Sequence, residues 1–203
     1  LVERNYAILH ELLEASAKTA VDPKTSSGSA EQIVGQLYAS GMDEALINAE
    51  GAKPLGPEFD LINKIVDRDG LAPALAQLHL LGFGAFFGVT GGQDSKDSTS
   101  QIAIIGQGGL GLPDRDYYLK DGDRSKEIRE QYTLHIAKMF GLLGDAESVA
   151  TDEASRVLAF ETELAKASKS RVALRDSEAN YHRMSVTELA TLAPGFDWIN
   201  YYK

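Results

Sequence analysis

Pro113 constrains the fold of this chain more than any other residue, because of the glycines that precede it. The segment QIAIIGQGGLGLPDRDYY, residues 101–118, joins an apolar run to Gly106, Gly108 and Gly111, and this spacing matches a dinucleotide-binding fingerprint. In that fold the last glycine lies in the first turn of a helix whose N-terminus faces the phosphates. A proline two residues later cannot be accommodated past the first turn of such a helix. The sequence therefore predicts that these glycines serve tight backbone turns and do not hold a nucleotide.

Most of the remaining sequence has helical periodicity, with apolar residues recurring every three or four positions. Ser29 with Gln32, and Ser185 with Glu188, match the capping box that begins a helix. The predicted helices are residues 5–20, 29–41, 43–50, 58–68, 71–81, about 128–143, 146–170 and a short one from 185 to 194.

The pattern changes between residues 83 and 105. Two short runs of β-prone residues, Phe83–Val89 and Ser100–Ile105, flank a polar turn rich in Gly, Asp and Ser. A β-hairpin is the simplest interpretation. The predicted fold is therefore mainly α, a multi-helix bundle with one short β-hairpin at about residues 83–105.

Composition excludes two kinds of partner. Twenty basic and thirty acidic side chains give a formal net charge of −10, whereas nucleic-acid binding depends on clustered Lys and Arg. No apolar run approaches the roughly 20 residues that span a bilayer, so no membrane span is predicted. The chain has no cysteine, which rules out disulfides and thiolate metal sites but leaves the compartment open.

The segment that contains Pro113 resembles a specific family signature. LGLPDRDYY, within residues 106–119, is similar to a signature of the neprilysin-like zinc endopeptidases, which include the endothelin-converting enzymes and bacterial oligoendopeptidases. Five further segments resemble the family in order and spacing: ERNYAILHELLE, SGMDEALINAEGAKPL, VLAFETELAKAS, RDSEANYHRMSVTEL and FDWINYY. By this resemblance the chain is identified as a member of the family, covering the N-terminal portion of its helical lobe.

The resemblance implies a parent protein that is an exported zinc metalloendopeptidase, found in the periplasm, secreted or at the cell surface. In the family a catalytic lobe faces a helical lobe across a closed cavity that admits only short peptides. Water on the zinc attacks the scissile carbonyl, with a glutamate as base. Residues 1–203 would be the N-terminal part of the helical lobe, would wall the cavity, and would meet peptide substrates only through the missing catalytic lobe. A free-standing helical binding module derived from that lobe is the alternative.

The zinc site of the family needs HExxH and a third carboxylate ligand from a downstream helix. The four histidines of this chain are His10, His79, His135 and His182, and none begins that motif. The stretch HELLE, residues 10–14, offers two groups one helical turn apart, but no third ligand is apparent. We therefore expect no catalytic and no metal-ligating residue here, zinc only in the parent enzyme, and no activity of this chain alone. His79 and His135 are expected to be hydrogen-bonded packing residues, and His182 to be exposed.

The signature residues are expected to be structural. Asp114 can accept backbone N–H groups at a helix start, and Arg115 offers five donors to the carboxylates beside it. The tyrosines add apolar area with a polar tip. The hypothesis is a clasp that joins the hairpin to the next helix, formed by Gly111, Pro113, Asp114, Arg115, Asp116, Tyr117 and Tyr118.

Two expectations concern binding. Substrate-binding residues stay unassigned, and NYY at residues 200–202 receives no such role, although it resembles a substrate-binding motif of the family, because it follows FDW. A truncated lobe would leave apolar helix faces uncovered, so the chain is expected to self-associate in concentrated solution.

Overall fold

The computed structural model describes residues 2–203 and confirms the mainly α class. The helices are α1 Val2–Ala20, α2 Ala30–Met42, α3 Glu44–Glu50, α4 Gly56–Asn63, α5 Leu71–Leu80, α6 Asp116–Leu119, α7 Asp123–Leu143, α8 Glu147–Ala167, α9 Val186–Leu192 and α10 Trp198–Tyr201. Single turns of 3₁₀ helix lie at Lys53–Leu55 and Ala173–Arg175. Within the described residues the sheet has two antiparallel strands, β1 Phe87–Asp94 and β2 Asp97–Gln107.

Several boundaries differ from the predicted ones; α7, for example, begins at Asp123 rather than at about residue 128. The predicted helix 58–68 ends at Asn63, and the last residues of the predicted range form a turn in which the Asp67 carboxylate accepts the N–H groups of Asp69 and Gly70. The hairpin is present but begins at Phe87 rather than at residue 83, since the residues before it form a loop. The short helices α6 and α10 were not predicted; each has only four residues, too few for a periodic pattern.

The two predicted capping boxes are realised differently. At α9 the Ser185 hydroxyl accepts the Glu188 N–H, and the Glu188 carboxylate accepts the Ser185 N–H at 2.7 Å. At α2 Ser29 accepts the Gln32 N–H, but the Gln32 side chain accepts from Gly28 rather than from Ser29. Both arrangements satisfy N–H groups that a helix start leaves unpaired.

The chain divides into two compact units at the boundary between Pro54 and Leu55. The first unit contains α1, α2 and α3. Helices α1 and α2 pack together at Gly35, where a Cβ would overlap the carbonyl of Ser16. No residue of α1 is buried, and its apolar side chains Tyr6, Leu9 and Leu12 are more than half exposed.

The second unit, Leu55–Lys203, contains the core of the described residues. The cluster consists of Ala72, Leu75, Leu78, Trp198 and Tyr201, from α5 and α10. Phe87 at the start of β1 packs against the rings of Trp198 and Tyr201 and fastens the hairpin to this cluster. The NYY stretch therefore contributes a buried tyrosine, Tyr201, to the core.

No helix within residues 2–203 combines the length and apolar character needed to cross a bilayer.

Candidate functional site

The glycine-rich loop after β2 is shaped by close contacts inside the protein. Gly109 has φ of +75°, and a Cβ there would lie 2.7 Å from the Cα of Phe86. A Cβ on Gly111 would overlap the hydroxyl of Tyr132 in α7. The strand before the loop is the second arm of a hairpin and not the opening of a βαβ unit. These glycines permit backbone and side chains to approach closely, and the loop does not have the context of a phosphate-binding turn.

A buried carboxylate, Glu161 of α8, accepts hydrogen bonds from three parts of the chain. The glutamate is only 9% exposed. Its Oε2 accepts from the Tyr118 hydroxyl at 2.7 Å. Its Oε1 accepts from the Tyr132 hydroxyl at 3.0 Å and from the Gly111 N–H at 3.3 Å. A buried charge is tolerated when it is fully hydrogen-bonded, and these donors meet that condition. We call Gly111, Tyr118, Tyr132 and Glu161 the Glu161 cluster.

The two phenols of this cluster are held as neutral donors. Burial raises the pKa of Tyr118, and the hydrogen bond to Glu161 raises it further against the opposing effect of the Leu112 N–H. Burial and the charge of Glu161 raise the pKa of Tyr132 to about 12. Since ionisation would place two or three negative charges together, both hydroxyls stay protonated near neutral pH.

An arginine of α7 holds the end of α6. One terminal nitrogen of Arg129 donates to the carbonyl oxygen of Tyr117 at 2.8 Å and to that of Lys120 at 3.0 Å. The last carbonyls of a helix have no partner within it, so the guanidinium supplies the missing donors. Residues 117–120 are thereby fixed against α7.

The acidic residues of the signature pair with cations other than Arg115. Asp114 accepts the Asp116 N–H at 2.8 Å and lies 3.6 Å from the guanidinium of Arg171. Asp116 pairs with Lys120 at 2.8 Å. Arg115 is half-buried, and its side chain makes no hydrogen bond or ion pair with the residues that the structure describes. The expected pairing of Arg115 with its neighbouring carboxylates is therefore wrong for this conformation.

The sequence reasoning missed a second buried carboxylate, Asp94, at the end of β1. Asp94 is 2% exposed and accepts the Lys96 N–H, the Tyr181 hydroxyl and the Arg183 guanidinium, each at 2.9 Å. The Lys96 N–H lowers the pKa of Asp94 most, with Tyr181 and Arg183 adding to the effect. We call Asp94, Lys96, Tyr181 and Arg183 the Asp94 cluster. The QDSK turn was a local signal for it, but two of the partners, Tyr181 and Arg183, lie more than 80 positions along the chain.

The HELLE stretch of α1 faces a tyrosine of α2. The Tyr38 hydroxyl donates to Glu14 at 2.9 Å and lies 3.4 Å from Nδ1 of His10. Within residues 2–203, no three His, Asp or Glu side chains are grouped as a metal site would require.

The other histidines have separate environments. His79 is a packing residue as predicted: Nε2 donates to the Ala85 carbonyl at 2.9 Å, so Nδ1 accepts from the Tyr201 hydroxyl at 2.6 Å. His182 is exposed, as predicted. His135 is also exposed, and its predicted packing role is wrong, because the next residue along α7, Ile136, is the one that faces inward.

Comparison with known proteins gives a consistent result along the whole chain. The family model described as peptidase family M13, N-terminal, matches residues 1–203. Endothelin-converting enzyme 1 from Bos taurus is 33% identical over 98% of this chain, which spans 26% of that protein. Neprilysin-3 from Drosophila melanogaster is 31% identical over 100% of this chain, again 26% of that protein. The chain thus spans about a quarter of the length of these curated relatives.

Solved structures share the fold. Mycobacterium tuberculosis zinc metalloprotease ZMP1 in complex with an inhibitor superposes with a TM-score of 0.86 at 33% identity, over 98% of this chain and 30% of that one. PEPO from Lactobacillus rhamnosis superposes with a TM-score of 0.74 at 17% identity, a likeness of fold alone.

Proposed function

This chain belongs to peptidase family M13, and from that premise we propose that it is the N-terminal, non-catalytic portion of a zinc-dependent metalloendopeptidase that cleaves short peptides. Its relatives by sequence include an endothelin-converting enzyme, and a solved structure of the same fold is a zinc metalloprotease. The observation that carries the proposal is the match of the N-terminal family model to residues 1–203.

We place the zinc outside this portion. The donor set in residues 2–203 does not fit the metal, because no three His, Asp or Glu side chains are grouped there, and the histidines with close partners are used in local contacts: His10 near Tyr38, and His79 with Tyr201. The sequence also lacks HExxH. The zinc ligands and the catalytic base would accordingly belong to a part of the longer protein outside residues 1–203.

The role proposed for this portion is to wall the substrate cavity and exclude folded proteins. Support comes from its mainly helical build and from the apolar side chains that its first unit leaves exposed, such as Leu12 and Leu37. Large apolar side chains exposed on neighbouring helices are typical of a surface that contacts other parts of a protein.

Metal analysis and a fluorogenic peptide assay test this division of labour. The longer protein should contain about one zinc per chain and lose hydrolysis on chelation, whereas residues 1–203 alone should neither retain zinc nor cleave the peptide. Hydrolysis by residues 1–203 with bound zinc would contradict the proposal, and so would a zinc-free longer protein.

We further propose that Gly111–Tyr118 is the clasp between the hairpin and α7. Its contacts are the Tyr118–Glu161 hydrogen bond and the Arg129 bonds to α6. In the longer enzyme Tyr118→Phe should lower Tm and leave kcat of the folded fraction unchanged. Arg115→Ala should behave similarly with a smaller loss of Tm, because the side chain of Arg115 is half-buried without a polar partner among the described residues. A fall in kcat without a fall in Tm would contradict the clasp.

Two further proposals follow from family membership. The parent protein is exported, which fractionation of cells that produce it would test; recovery from the cytoplasm alone would contradict this. Residues 1–203 on their own self-associate through exposed apolar faces, and light scattering at high concentration should show species larger than a monomer.

A further inference from the structure

A groove runs along the outer edge of β2. It has a volume of about 1070 Å³, and its lining includes four consecutive strand residues, Ile102–Ile105. Neighbouring residues of a strand point to opposite faces of the sheet, so a cavity lined by four in a row reaches the edge of the strand. Gln93 of β1 also lines it, so the groove extends from this edge over one face of the hairpin. The opposite wall is formed by Asn180–Val186, of which residues 181–185 belong to no helix or strand.

The backbone of this edge has unused hydrogen-bonding groups. Within the described residues β2 pairs with β1 alone. In an antiparallel pair every second residue directs its N–H and C=O away from the partner strand, so two of the four residues Ile102–Ile105 direct these groups into the groove. The facing residues 182–184 make no backbone hydrogen bond to any other described residue.

The edge also lacks the features that protect a free strand. Exposed edges carry charges, prolines or bulges that block pairing with another chain. Ile102–Ile105 has no charge and no proline, and the irregularity in the hairpin lies at Gln93 and Asp94. Ile104 is 41% exposed and Ile105 37% exposed, so two large apolar side chains of this stretch are open to solvent. An unprotected edge of this kind is typical of a strand that is covered in the finished protein.

We propose that the groove receives an extended segment of the same polypeptide, supplied by the part of the longer protein that lies outside residues 1–203, as a third strand beside β2. The proposal rests on the proposed function, because this chain spans only 26% of relatives such as endothelin-converting enzyme 1. A segment tethered to the groove has a high effective concentration there. The apolar floor, which includes Val186, Leu189 and Trp198, suits a permanent contact better than an exchanging one.

The apolar floor of the groove constrains the side chains of the inserted segment. Its residues should alternate between apolar side chains directed at Val186, Leu189 and Trp198 and side chains directed away from them. At about 3.3 Å per residue, four residues of the segment match Ile102–Ile105.

Amide hydrogen exchange distinguishes this arrangement from an open edge. In residues 1–203 alone, two of the four amides of Ile102–Ile105 should exchange quickly, and in the longer protein the same amides should be protected at least about tenfold more strongly. Equal exchange in both proteins would overturn the proposal.

A matched pair of substitutions gives a second readout. Ile104→Lys should lower Tm of the longer protein much more than that of residues 1–203, because only the former fills the groove. Leu80→Lys, at a residue 81% exposed on α5 and outside the groove, should change neither. No selective loss of Tm from Ile104→Lys would overturn the proposal, as would protection of the edge by dimers of residues 1–203. Neither result bears on zinc content or peptide hydrolysis, which test the proposed function separately.

Discussion

Two buried carboxylates, Asp94 and Glu161, are stabilised in different ways. Asp94 faces a cation, the guanidinium of Arg183, and the backbone of its own turn. Glu161 is surrounded by neutral donors, two phenols and one backbone N–H. The first carboxylate ties a hairpin tip to a distant loop, and the second ties the signature segment to α7 and α8.

The difference decides what happens when each contact is lost. Arg183 is about half exposed, so water can solvate its charge if Asp94 is removed. Tyr118 is only 5% exposed, so water replaces a lost acceptor there less readily than it solvates Arg183. The comparison therefore predicts that the Glu161 cluster contributes more to stability than the Asp94 cluster, although it contains no ion pair.

Removing the Glu161 side chain should have the largest effect. Glu161→Ala leaves the buried Tyr118 hydroxyl and the partly buried Tyr132 hydroxyl without this acceptor, and should cost on the order of 3 kcal/mol, from about 1–3 kcal/mol for each such group. Urea unfolding of residues 1–203 measures this. Glu163→Ala, two residues along α8 at an exposed position that pairs with Lys166, is the control and should cost little. Equal costs for the two variants would contradict the comparison.

A methyl group at Gly111 should have the next largest effect. Gly111→Ala would place a Cβ against the Tyr132 hydroxyl and displace it from Glu161, at a cost of roughly 2 kcal/mol. Gly141→Ala is the control, because no neighbouring atom lies within 4 Å of a Cβ there. Unfolding curves that overlap for Gly111→Ala and Gly141→Ala would show that the close approach is not required.

Neutralising Asp94 should lower stability less than Glu161→Ala does. Asp94→Asn keeps the side-chain shape and retains one oxygen for the Lys96 N–H or the Tyr181 hydroxyl, while Arg183 turns to solvent. Thermal unfolding would rank the variants, with Glu178→Gln as a control that removes only the exposed partner of Lys96. A loss of Tm larger than that of Glu161→Ala would reverse the proposed order.

The smallest predicted effect is the pH dependence of the free energy of unfolding. Contacts at the Asp94 cluster should lose stability at acid pH, and those of the Glu161 cluster at alkaline pH. Hydrogen bonds from Ser100 and Thr99 lower the pKa of Asp97, beside the Asp94 cluster, to about 2. Because the unfolded value is about 3.9, this stabilisation is present above that pH and is lost as the pH falls towards 2. The raised pKa of Tyr132 has the opposite sign: its stabilisation is present below the unfolded value of about 10 and is lost as the pH rises through about 12.

Urea titrations across the pH range would check both signs. Asp97→Asn should flatten the acid limb of the plot of unfolding free energy against pH and leave its alkaline limb unchanged. Tyr132→Phe should do the reverse. A change in the same limb for both variants would contradict the assignment.

The sequence predicted the elements better than the contacts between them. Long amphipathic helices such as α7 and α8 show their period, and Ser185 marks the start of α9, because these signals are local. Asp94 and Tyr181 meet across 87 positions, and Tyr118 meets Glu161 across 43, so no short window contains either pair.

The error at Arg115 has the same origin. Adjacent carboxylates suggested a local ion pair, but Asp114 and Asp116 face Arg171 and Lys120 instead. Spacing along the chain contains little information about the Asp114–Arg171 pair, which depends on how distant elements pack, whereas Asp116 pairs one helical turn along the chain.

The contact between Phe86 and Gly109 has an evolutionary consequence. Phe86 has φ of +63°, a conformation unusual for a bulky residue, and the glycine packs directly on its backbone. A side chain at position 109 would have to push position 86 out of that conformation. Among homologues the residues at these two positions should therefore change together. A homologue without the glycine at position 109 should also have a substitution or a length change in the loop that contains position 86, immediately before β1.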